Sequence, residues 1–363
     1  MSKRIIIAGG GTGGHIFPAV AIAHALKKLM PSIEILFVGA NGKMEMEKVP
    51  QAGYKIIGLN IAGFNRQNML KNIGLPYKII ASFLAVQKIF KNFKPDAVIG
   101  VGGYSTYPVL KTAQQKGIPT FIHESNAFAG KANKMLGIKA TKIFVAAHNM
   151  AKFFPANKLM FTGNPVRKNI IDNTVSQAEA LAFFNLQPSI KTILIVGGSL
   201  GAKSINESIL NKLPLFKQNN IQIIWQTGTT NEQLYKDAAL PYTNIWIGSF
   251  INKMDIAYAA ANIVISRAGA MAITELCVLA KPAILVPYPH AAEDHQTHNA
   301  QQLANAKASI LIKDNEAVTK LVDTALALIA DTETQHLFIK NIKQFAIKNA
   351  DEIIAYEILK TIE

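Results

Sequence analysis

The sequence predicts an α/β protein built from two Rossmann-like, doubly wound domains, each with a parallel sheet. Residues 4–29 predict a strand, a glycine-rich loop and a helix, and the same order returns over residues 192–210. Short apolar strand patterns alternate with helical patterns between and after these two units. With 363 residues, the chain is long enough for two domains of ordinary size.

The opening unit predicts a site for phosphate groups. Residues 5–8 predict a buried strand, residues 9–15 a glycine loop, and residues 20–29 a helix with apolar side chains on a 3.6-residue period. Glycines allow a tight turn that brings backbone N–H groups close to a ligand. The helix N-terminus adds a partial positive charge, so the unit favours an anion.

A dinucleotide site is the first alternative for this loop, because Gly9, Gly11 and Gly14 match G-x-G-x-x-G. Such a site needs a carboxylate at the end of the second strand, where it binds the ribose hydroxyls. The predicted second strand, 33–38, has Glu34 at its start and no carboxylate at its end. The pattern therefore disfavours a dinucleotide. His15, a titratable group at the mouth of an anion site, indicates acid–base chemistry instead.

The rest of the first half continues the alternation and ends in a predicted linker at 163–167. The strand 120–122 is followed by His123, Glu124 and Asn126, and ligands of open α/β sheets gather at such carboxyl ends. The other predicted elements are a helix at 44–51, a strand at 55–59, a strand at 97–101 with a second glycine turn at 102–105, a helix at 108–116 and a strand at 143–147.

The positive charge of the chain lies in its first half. Residues 1–165 contain 21 Lys and Arg against 5 Asp and Glu, whereas residues 166–363 contain 17 against 18. The segment 61–94 mixes lysines with apolar residues and has no acid, which is typical of a surface that lies on an anionic bilayer. An ordinary core-facing helix with outward lysines remains the alternative, above all for 79–93. Nucleic-acid binding predicts aromatic residues among the cations, but the apolar residues here are mostly aliphatic.

The single cysteine, Cys277, excludes an internal disulfide framework and a cysteine metal cluster, and its apolar neighbours predict a buried thiol. We expect a cytoplasmic protein, because the start of the chain lacks a signal-peptide core and no run approaches the ~18 apolar residues of a membrane span.

The second half predicts the same architecture again, with a glycine loop at 197–201 between a strand and a helix. The further predictions are strands at 221–226, 243–247, 263–266 and 283–287, a helix at 254–261, and a tail that is helical throughout from residue 316.

Two stretches of the second half predict ligand contacts. Around Gly269 a strand ends and a helix begins, and Glu275, about one and a half turns further, suits a pair of vicinal hydroxyls such as those of ribose. Residues 293–300 open a helix with several polar groups. Their acids and histidines suggest a metal site, but the spacing matches no zinc template. Amides and carboxylates that bind sugar hydroxyls are the preferred interpretation.

These motifs, taken in order, resemble glycosyltransferase family 28, whose members have the two-domain GT-B fold. The matching residues are 11–15, 102–104, His123, Glu124, Asn126 and 163–167 in the first half, and 197–199, 201–202, Arg267, 269–270, Glu275 and 294–300 in the second. The resemblance implies inverting transfer of N-acetylglucosamine from UDP-N-acetylglucosamine (UDP-GlcNAc) to the C4 hydroxyl of the muramoyl sugar of lipid I, giving lipid II for peptidoglycan.

The resemblance also implies a division of labour between two domains that face a cleft. Residues 1–164 would take the lipid-linked acceptor and face the membrane, with a final helix at about 342–363 packed back on them, and residues 165–341 would hold UDP-GlcNAc. It implies no cofactor and no essential metal. It further implies a peripheral protein at the cytoplasmic face of the plasma membrane, contacting the anionic surface through about 61–94, with the cell-wall and division machinery as partners.

The site residues carried over by motif fall into three groups. His15 is the candidate catalytic base, with Glu124 as the second candidate, while His123 is the structural alternative. The loops at Gly13, Gly14, Gly102, Gly103 and Tyr104 suit the acceptor diphosphate. The donor would be contacted by Thr12, Gly13, Gly14, Asn126, Arg167, Ser199, Ile251, Ala270, Met271, Ala272, Ile273, Thr274, Glu275 and Gln296.

Two other functions remain as alternatives. A UDP-GlcNAc 2-epimerase shares the fold and the nucleotide but needs no amphipathic basic face. A basic nucleic-acid-binding protein would bind RNA and have no affinity for UDP.

Overall fold

Two parallel sheets, one in each of two units of the chain, form the framework of the structure, a computed structural model that describes residues 2–63, 74–198 and 200–362. The first unit comprises Met1–Arg167 and Ile347–Glu363, and the second Lys168–Ala346. The boundaries predicted from the sequence, after residues 164 and 341, lie within a few residues of these. The predicted fold class is confirmed, since both sheets are doubly wound and parallel.

The first sheet has the order β3-β2-β1-β4-β5-β6-β7. Ile5, Ile6 and Ile7, on a strand in the interior of the sheet, have no exposed surface, as expected for a strand covered on both faces. The chain reverses its winding direction between β1 and β4, so their carboxyl ends form the switch point at which ligands of such sheets bind. The strands are β1 Arg4–Ala8, β2 Glu34–Ala40, β3 Lys55–Leu59, β4 Ala97–Gly100, β5 Thr120–Glu124, β6 Lys142–Val145 and β7 Leu159–Phe161.

The helices of the first unit cover both faces of this sheet. Those before residue 167 are α1 Gly13–Leu29, α2 Glu45–Gln51, α3 Leu75–Phe93, α4 Thr106–Gln115 and α5 Lys131–Gly137, and the last helix of the chain joins them. Helix α1 begins seven residues earlier than predicted. The apolar pattern did not reveal this because glycine and proline are poor helix formers, and the helix tolerates Pro18 by giving up one hydrogen bond near its first turn.

The second sheet has the order β10-β9-β8-β11-β12-β13, with its switch point between β8 and β11. Its strands are β8 Lys191–Val196, β9 Ile221–Gln226, β10 Ile245–Gly248, β11 Ile263–Ser266, β12 Ala283–Leu285 and β13 Ile310–Leu311. Its helices are α6 Lys168–Ile171, α7 Gln177–Phe183, α8 Lys203–Asn211, α9 Leu213–Gln218, α10 Glu232–Ala239, α11 Met254–Ala260, α12 Ala270–Leu279, α13 His295–Asn305, α14 Ala317–Ala330 and α15 Thr332–Ile342.

The expectation that the tail is helical throughout from residue 316 is wrong. Asp331 leaves the helical conformation and caps α15 by accepting a hydrogen bond from the Thr334 N–H. The chain then returns to the first unit and forms α16, Ala350–Ile362. Ile354 and Ile358 of this last helix are buried in the same core as Ile22 and Leu26 of α1.

Among the helices of the described residues, none combines the length and the apolar character that crossing a bilayer requires. Cys277 is buried, as predicted, and burial raises the pKa of its thiol to about 12.

Candidate active site

Two glycine turns of the first unit are pressed against each other, one after β1 and one after β4. The Gly10 N–H donates to the Gly102 carbonyl at 3.1 Å. A Cβ on Gly103 would lie 2.4 Å from the Gly10 oxygen, and one on Gly9 would lie 2.7 Å from the Gly102 oxygen. Because both positions also have positive φ, only glycine allows this approach of backbone to backbone.

His15 stands in the first turn of α1, beside these two turns. Its Nδ1 lies 2.9 Å from the Gly10 carbonyl oxygen. A carbonyl only accepts hydrogen bonds, so Nδ1 carries the proton and Nε2 of the neutral ring carries the lone pair. Nε2 lies next to the Gly102 Cα, where an added Cβ would be 2.7 Å away. The ring is therefore held in the tautomer and orientation that a general base requires.

The N-terminus of α1 presents an environment for anions around this histidine. Thr12 is the N-cap residue, and Gly13 and Gly14 are the first two helical residues, whose N–H groups have no acceptor within the helix. The first turn has no acidic side chain. The predicted residues Thr12, Gly13, Gly14, His15, Gly102 and Gly103 are thus brought together at one switch point.

Glu45, at the start of α2, contacts the same loop and was not identified from the sequence. Its carboxylate accepts hydrogen bonds from the Gly11 N–H at 2.8 Å and from the Ala40 N–H at 3.0 Å. Its side chain fills the space that a Cβ on Gly10 or on Gly39 would occupy. The sequence pointed to Glu45 only in that acidic residues are scarce in the first half of the chain, where residues 1–165 contain five.

His123, at the end of β5, is fully buried. Burial, with a smaller contribution from the nearby His15, lowers the pKa of its imidazole to about 4, although a hydrogen bond with the Gly163 carbonyl opposes this effect. The ring is therefore neutral near pH 7. This environment supports the structural alternative for His123.

Glu124 anchors the loop that follows β5. One carboxylate oxygen accepts from the backbone N–H of Asn126 at 3.1 Å and from its side-chain amide at 3.4 Å. The other accepts from the Gly130 N–H at 3.0 Å and from the Asn133 amide at 2.9 Å. A carboxylate with four donors and almost no exposed surface orders a loop, so this geometry favours His15 as the base.

Two further predicted residues of the first unit lie beside these loops. The Arg167 guanidinium lies over the ring of Phe17, one turn along α1 from the glycines, at 4.7 Å from the ring centroid. Tyr104 is half exposed, and its ring packs so closely on Gly63 that a Cβ there would lie 2.2 Å from it.

In the second unit, the glycine loop after β8 is tied to β9 and to the segment after β10. Gln226 donates from Nε2 to the Gly198 carbonyl at 3.0 Å and accepts at Oε1 from the Ile251 N–H at 3.0 Å. Ile251 therefore retains its carbonyl, rather than its N–H, as the backbone group for a ligand. Ser199 lies outside the described residues.

The start of α12 collects most of the other residues predicted to bind the donor. Gly269 is the N-cap, and the first turn contains no acid. Met271 is buried and the Thr274 hydroxyl donates to the Ala270 carbonyl at 2.8 Å, so this stretch offers a ligand mainly its backbone. Glu275 is buried and accepts a hydrogen bond from the Tyr258 hydroxyl at 3.1 Å, a partner that sequence reasoning missed.

Gln296, in the first turn of α13, accepts at Oε1 from the Tyr288 N–H at 3.0 Å, which directs its amide nitrogen elsewhere. Arg267 is structural in this unit, because it donates to the Val286 and Pro287 carbonyls at 3.1 Å and pairs with Asp314 at 2.5 Å. Among the described residues, no three His, Cys, Asp or Glu side chains are grouped in a way that would hold a metal ion.

Comparison with known proteins relates both units to one family. Residues 5–145 match the glycosyltransferase family 28 N-terminal domain, and residues 192–356 match the glycosyltransferase family 28 C-terminal domain. A relative from Bacteroides thetaiotaomicron is 51% identical over 99% of this chain and 98% of its own length. That relative is named UDP-N-acetylglucosamine--N-acetylmuramyl-(pentapeptide) pyrophosphoryl-undecaprenol N-acetylglucosamine transferase.

Solved structures also resemble this chain over nearly its full length. The crystal structure of MurG from Acinetobacter baumannii is 29% identical, with a TM-score of 0.77 over 99% of both chains. A UDP-GlcNAc 2-epimerase from Neisseria meningitidis, crystallised with UDP-GlcNAc, has a TM-score of 0.69 over 99% of this chain and 100% of its own, but only 17% identity, which shows a shared fold alone. The two domain matches together span most of the sequence, and the chain belongs to glycosyltransferase family 28.

Proposed function

We propose that this protein transfers N-acetylglucosamine from UDP-GlcNAc to the C4 hydroxyl of the N-acetylmuramoyl unit of lipid I, with inversion, and so forms lipid II. The observation that carries the proposal is the 51% identity, over nearly the full length of both chains, with a relative named for this transfer. The reaction belongs to peptidoglycan synthesis.

The second unit is proposed to bind the donor. Two sites at its switch point suit a diphosphate, namely the loop at Gly197 and Gly198 with Ser199, and the N-terminus of α12. Glu275 suits the ribose hydroxyls, because the Tyr258 hydroxyl holds its carboxylate in place. The Ile251 carbonyl is proposed to accept from the uracil ring, since the Ile251 N–H is already bonded to Gln226, and the Gln296 amide nitrogen is proposed to bind a sugar hydroxyl.

The first unit is proposed to bind the acceptor, with its diphosphate at the two glycine turns. The acceptor C4 oxygen attacks the anomeric carbon while its proton passes to Nε2 of His15. The bond from the anomeric carbon to the diphosphate oxygen breaks, and UDP leaves with that electron pair. Nδ1–H remains bonded to the Gly10 carbonyl, which stabilises the imidazolium as it forms. Helix N-termini and Arg167 are proposed to offset the phosphate charge without a metal.

Helix α3 supports a role at a membrane surface. Tyr77, Ile80 and Leu84 are spaced three and four residues apart, so they share one helix face, and they are 77%, 62% and 63% exposed. The opposite face packs into the core through Val86, Ile89 and Phe90. The core-facing interpretation thus holds for one face of the helix, and contact with a membrane surface is proposed for the other. Residues 64–73 of the segment lie outside the described residues.

The carboxyl end of α3 adds positive charge to this apolar stripe. Lys88, Lys91, Lys94 and Lys116 line a groove of about 660 Å³. An amphipathic helix with a cationic end binds anionic lipid by inserting its apolar face and pairing its lysines with headgroups. We therefore propose that the protein binds peripherally at the cytoplasmic face of the plasma membrane, where the cell-wall and division machinery would be its partners.

A transfer assay tests the proposal. The purified chain is incubated with UDP-GlcNAc and a short-chain lipid I analogue, and the product is analysed by mass spectrometry and by NMR of the new glycosidic bond. We expect a disaccharide with a β linkage, since the donor is an α-glycoside. Formation of UDP-N-acetylmannosamine with no transfer would instead identify an epimerase.

A further inference from the structure

Glu45 and His15 are joined through one peptide group. We propose that Glu45 is a positioning residue that strengthens His15 as a base by polarising the peptide between Gly10 and Gly11. The inference rests on the proposed function of His15 as the base. Glu45 does not contact the His15 ring itself.

The connection consists of two hydrogen bonds at opposite ends of the same amide. His15 donates from Nδ1 to the Gly10 carbonyl oxygen at 2.9 Å. The N–H of this amide belongs to Gly11, and it donates to Oε2 of Glu45 at 2.8 Å. The order is therefore imidazole, carbonyl, N–H and carboxylate, with the carboxylate at the end remote from the ring.

Hydrogen bonds in such a chain polarise one another. A carboxylate that accepts from the amide N–H draws positive charge to that end and leaves more negative charge on the carbonyl oxygen. The more negative oxygen is a better acceptor for Nδ1–H, and this preference grows when the ring becomes an imidazolium. The arrangement thus resembles the orienting carboxylate of a catalytic triad, with a peptide inserted between carboxylate and histidine.

The surroundings of Glu45 hold its side chain in position. The residue is 1% exposed, and its second oxygen accepts from the Ala40 N–H at 3.0 Å. In the described part of the chain no cationic side chain forms an ion pair with it. A Cβ added to Gly10 would lie 2.2 Å from Cδ and Oε1 of Glu45. The carboxylate is therefore packed directly against the peptide that it polarises.

Other ionisable groups lie around His15 and must be the same in any two proteins whose His15 pKa values are compared. His123 of β5 interacts electrostatically with the His15 ring and is neutral near pH 7 because it is buried. Tyr104 follows the glycine turn at 102–103, and Arg167 lies over Phe17 of α1. None of these groups changes when Glu45 is replaced, so a shift measured at His15 reports the carboxylate.

The test is an NMR titration of His15 in the full-length protein without substrates. Glu45→Gln keeps the side-chain shape and removes the charge, so we expect the pKa of His15 to fall by roughly 0.5 to 1 unit. Glu47→Gln is the matched control, because Glu47 is on the same helix but exposed and paired with Lys48, and it should leave the pKa unchanged. Equal pKa values in the wild type and in a folded Glu45→Gln variant would overturn the proposal.

Two further measurements keep the inference separate from folding and from the proposed function. Nitrogen chemical shifts of the wild-type protein should show the neutral His15 ring protonated at Nδ1, and protonation at Nε2 would overturn the proposal even if Glu45→Gln failed to fold. In the transfer assay, the acid limb of kcat/KM should move with the pKa, and kcat should fall about threefold. Absence of transfer by the wild type would instead contradict the proposed function and leave the pKa result intact.

Discussion

Replacing Gly102 by alanine tests whether catalysis depends on the position of the His15 ring. A Cβ at this position would lie 2.7 Å from Nε2 and 2.8 Å from Cδ2 of His15, whereas ordinary contacts begin near 3.4 Å. The ring must therefore move by more than half an ångström. Because a misplacement of about 1 Å costs on the order of 10²-fold in rate, we expect kcat to fall by roughly 30- to 100-fold.

The assay measures kcat, the dissociation constant of UDP-GlcNAc and the free energy of unfolding for Gly102→Ala. Gly117→Ala is the control, because Gly117 also has a positive φ but has no atom within 4 Å of an added Cβ. Both variants should lose about 1–2 kcal/mol of stability from the left-handed backbone, and the binding of UDP-GlcNAc should be unchanged in both. A folded Gly102→Ala variant with kcat within threefold of the wild type would refute the reasoning.

Three other predictions concern the nucleotide site, the buried histidine and the membrane surface. Tyr258→Phe removes the hydroxyl that bonds Glu275 and, at about 1 kcal/mol for such a bond, should weaken UDP-GlcNAc binding about fivefold in calorimetry while changing kcat little. The folded protein resists protonation of His123 until about pH 4, whereas the unfolded chain accepts the proton near pH 6.5. The free energy of unfolding measured in urea should therefore fall as pH decreases through this window, by at most about 3 kcal/mol, and less so in His123→Asn. The double variant Lys88→Glu/Lys91→Glu should reduce co-sedimentation with phosphatidylglycerol vesicles by about tenfold or more.

Each of these three predictions has an outcome that contradicts it. Unchanged UDP-GlcNAc affinity in Tyr258→Phe would mean that the Tyr258 bond does not organise the ribose site. Equal pH dependence in the wild type and His123→Asn would place the acid sensitivity elsewhere. For the vesicles, Lys131→Glu/Lys139→Glu is the control, since these exposed lysines belong to the region of α5. An equal loss in both double variants would indicate general charge attraction rather than binding through α3.

The sequence predicted most of the strands because their signal is local, but it did not predict the short strands β7 and β13. A run such as Ile5, Ile6 and Ile7 is apolar on both faces, which is typical of a strand buried in a parallel sheet. The glycines that follow each first strand marked both switch points, and their order along the chain predicted the fold class. The start of α1 was harder to predict, because glycine and Pro18 carry no helical signal although the helix passes through them.

The candidate site was predicted only where side-chain chemistry is concentrated in a motif. His15 was found because a titratable group stood inside a glycine loop. Glu45 was missed because it follows the loop by 34 residues, and the helix that carries it gives no sign that its carboxylate turns back to Gly11. Glu124 was considered as a base from its place after a strand, but its four hydrogen bonds depend on the path of the loop to Asn133.

The most direct test of the central claim is the turnover of His15→Ala with UDP-GlcNAc and the lipid I analogue, measured beside its affinity for UDP-GlcNAc. If the Nε2 of His15 takes the proton of the acceptor hydroxyl, kcat falls by about 10²-fold or more while the dissociation constant of the donor stays near that of the wild type. A variant that retains nearly wild-type kcat would contradict the account.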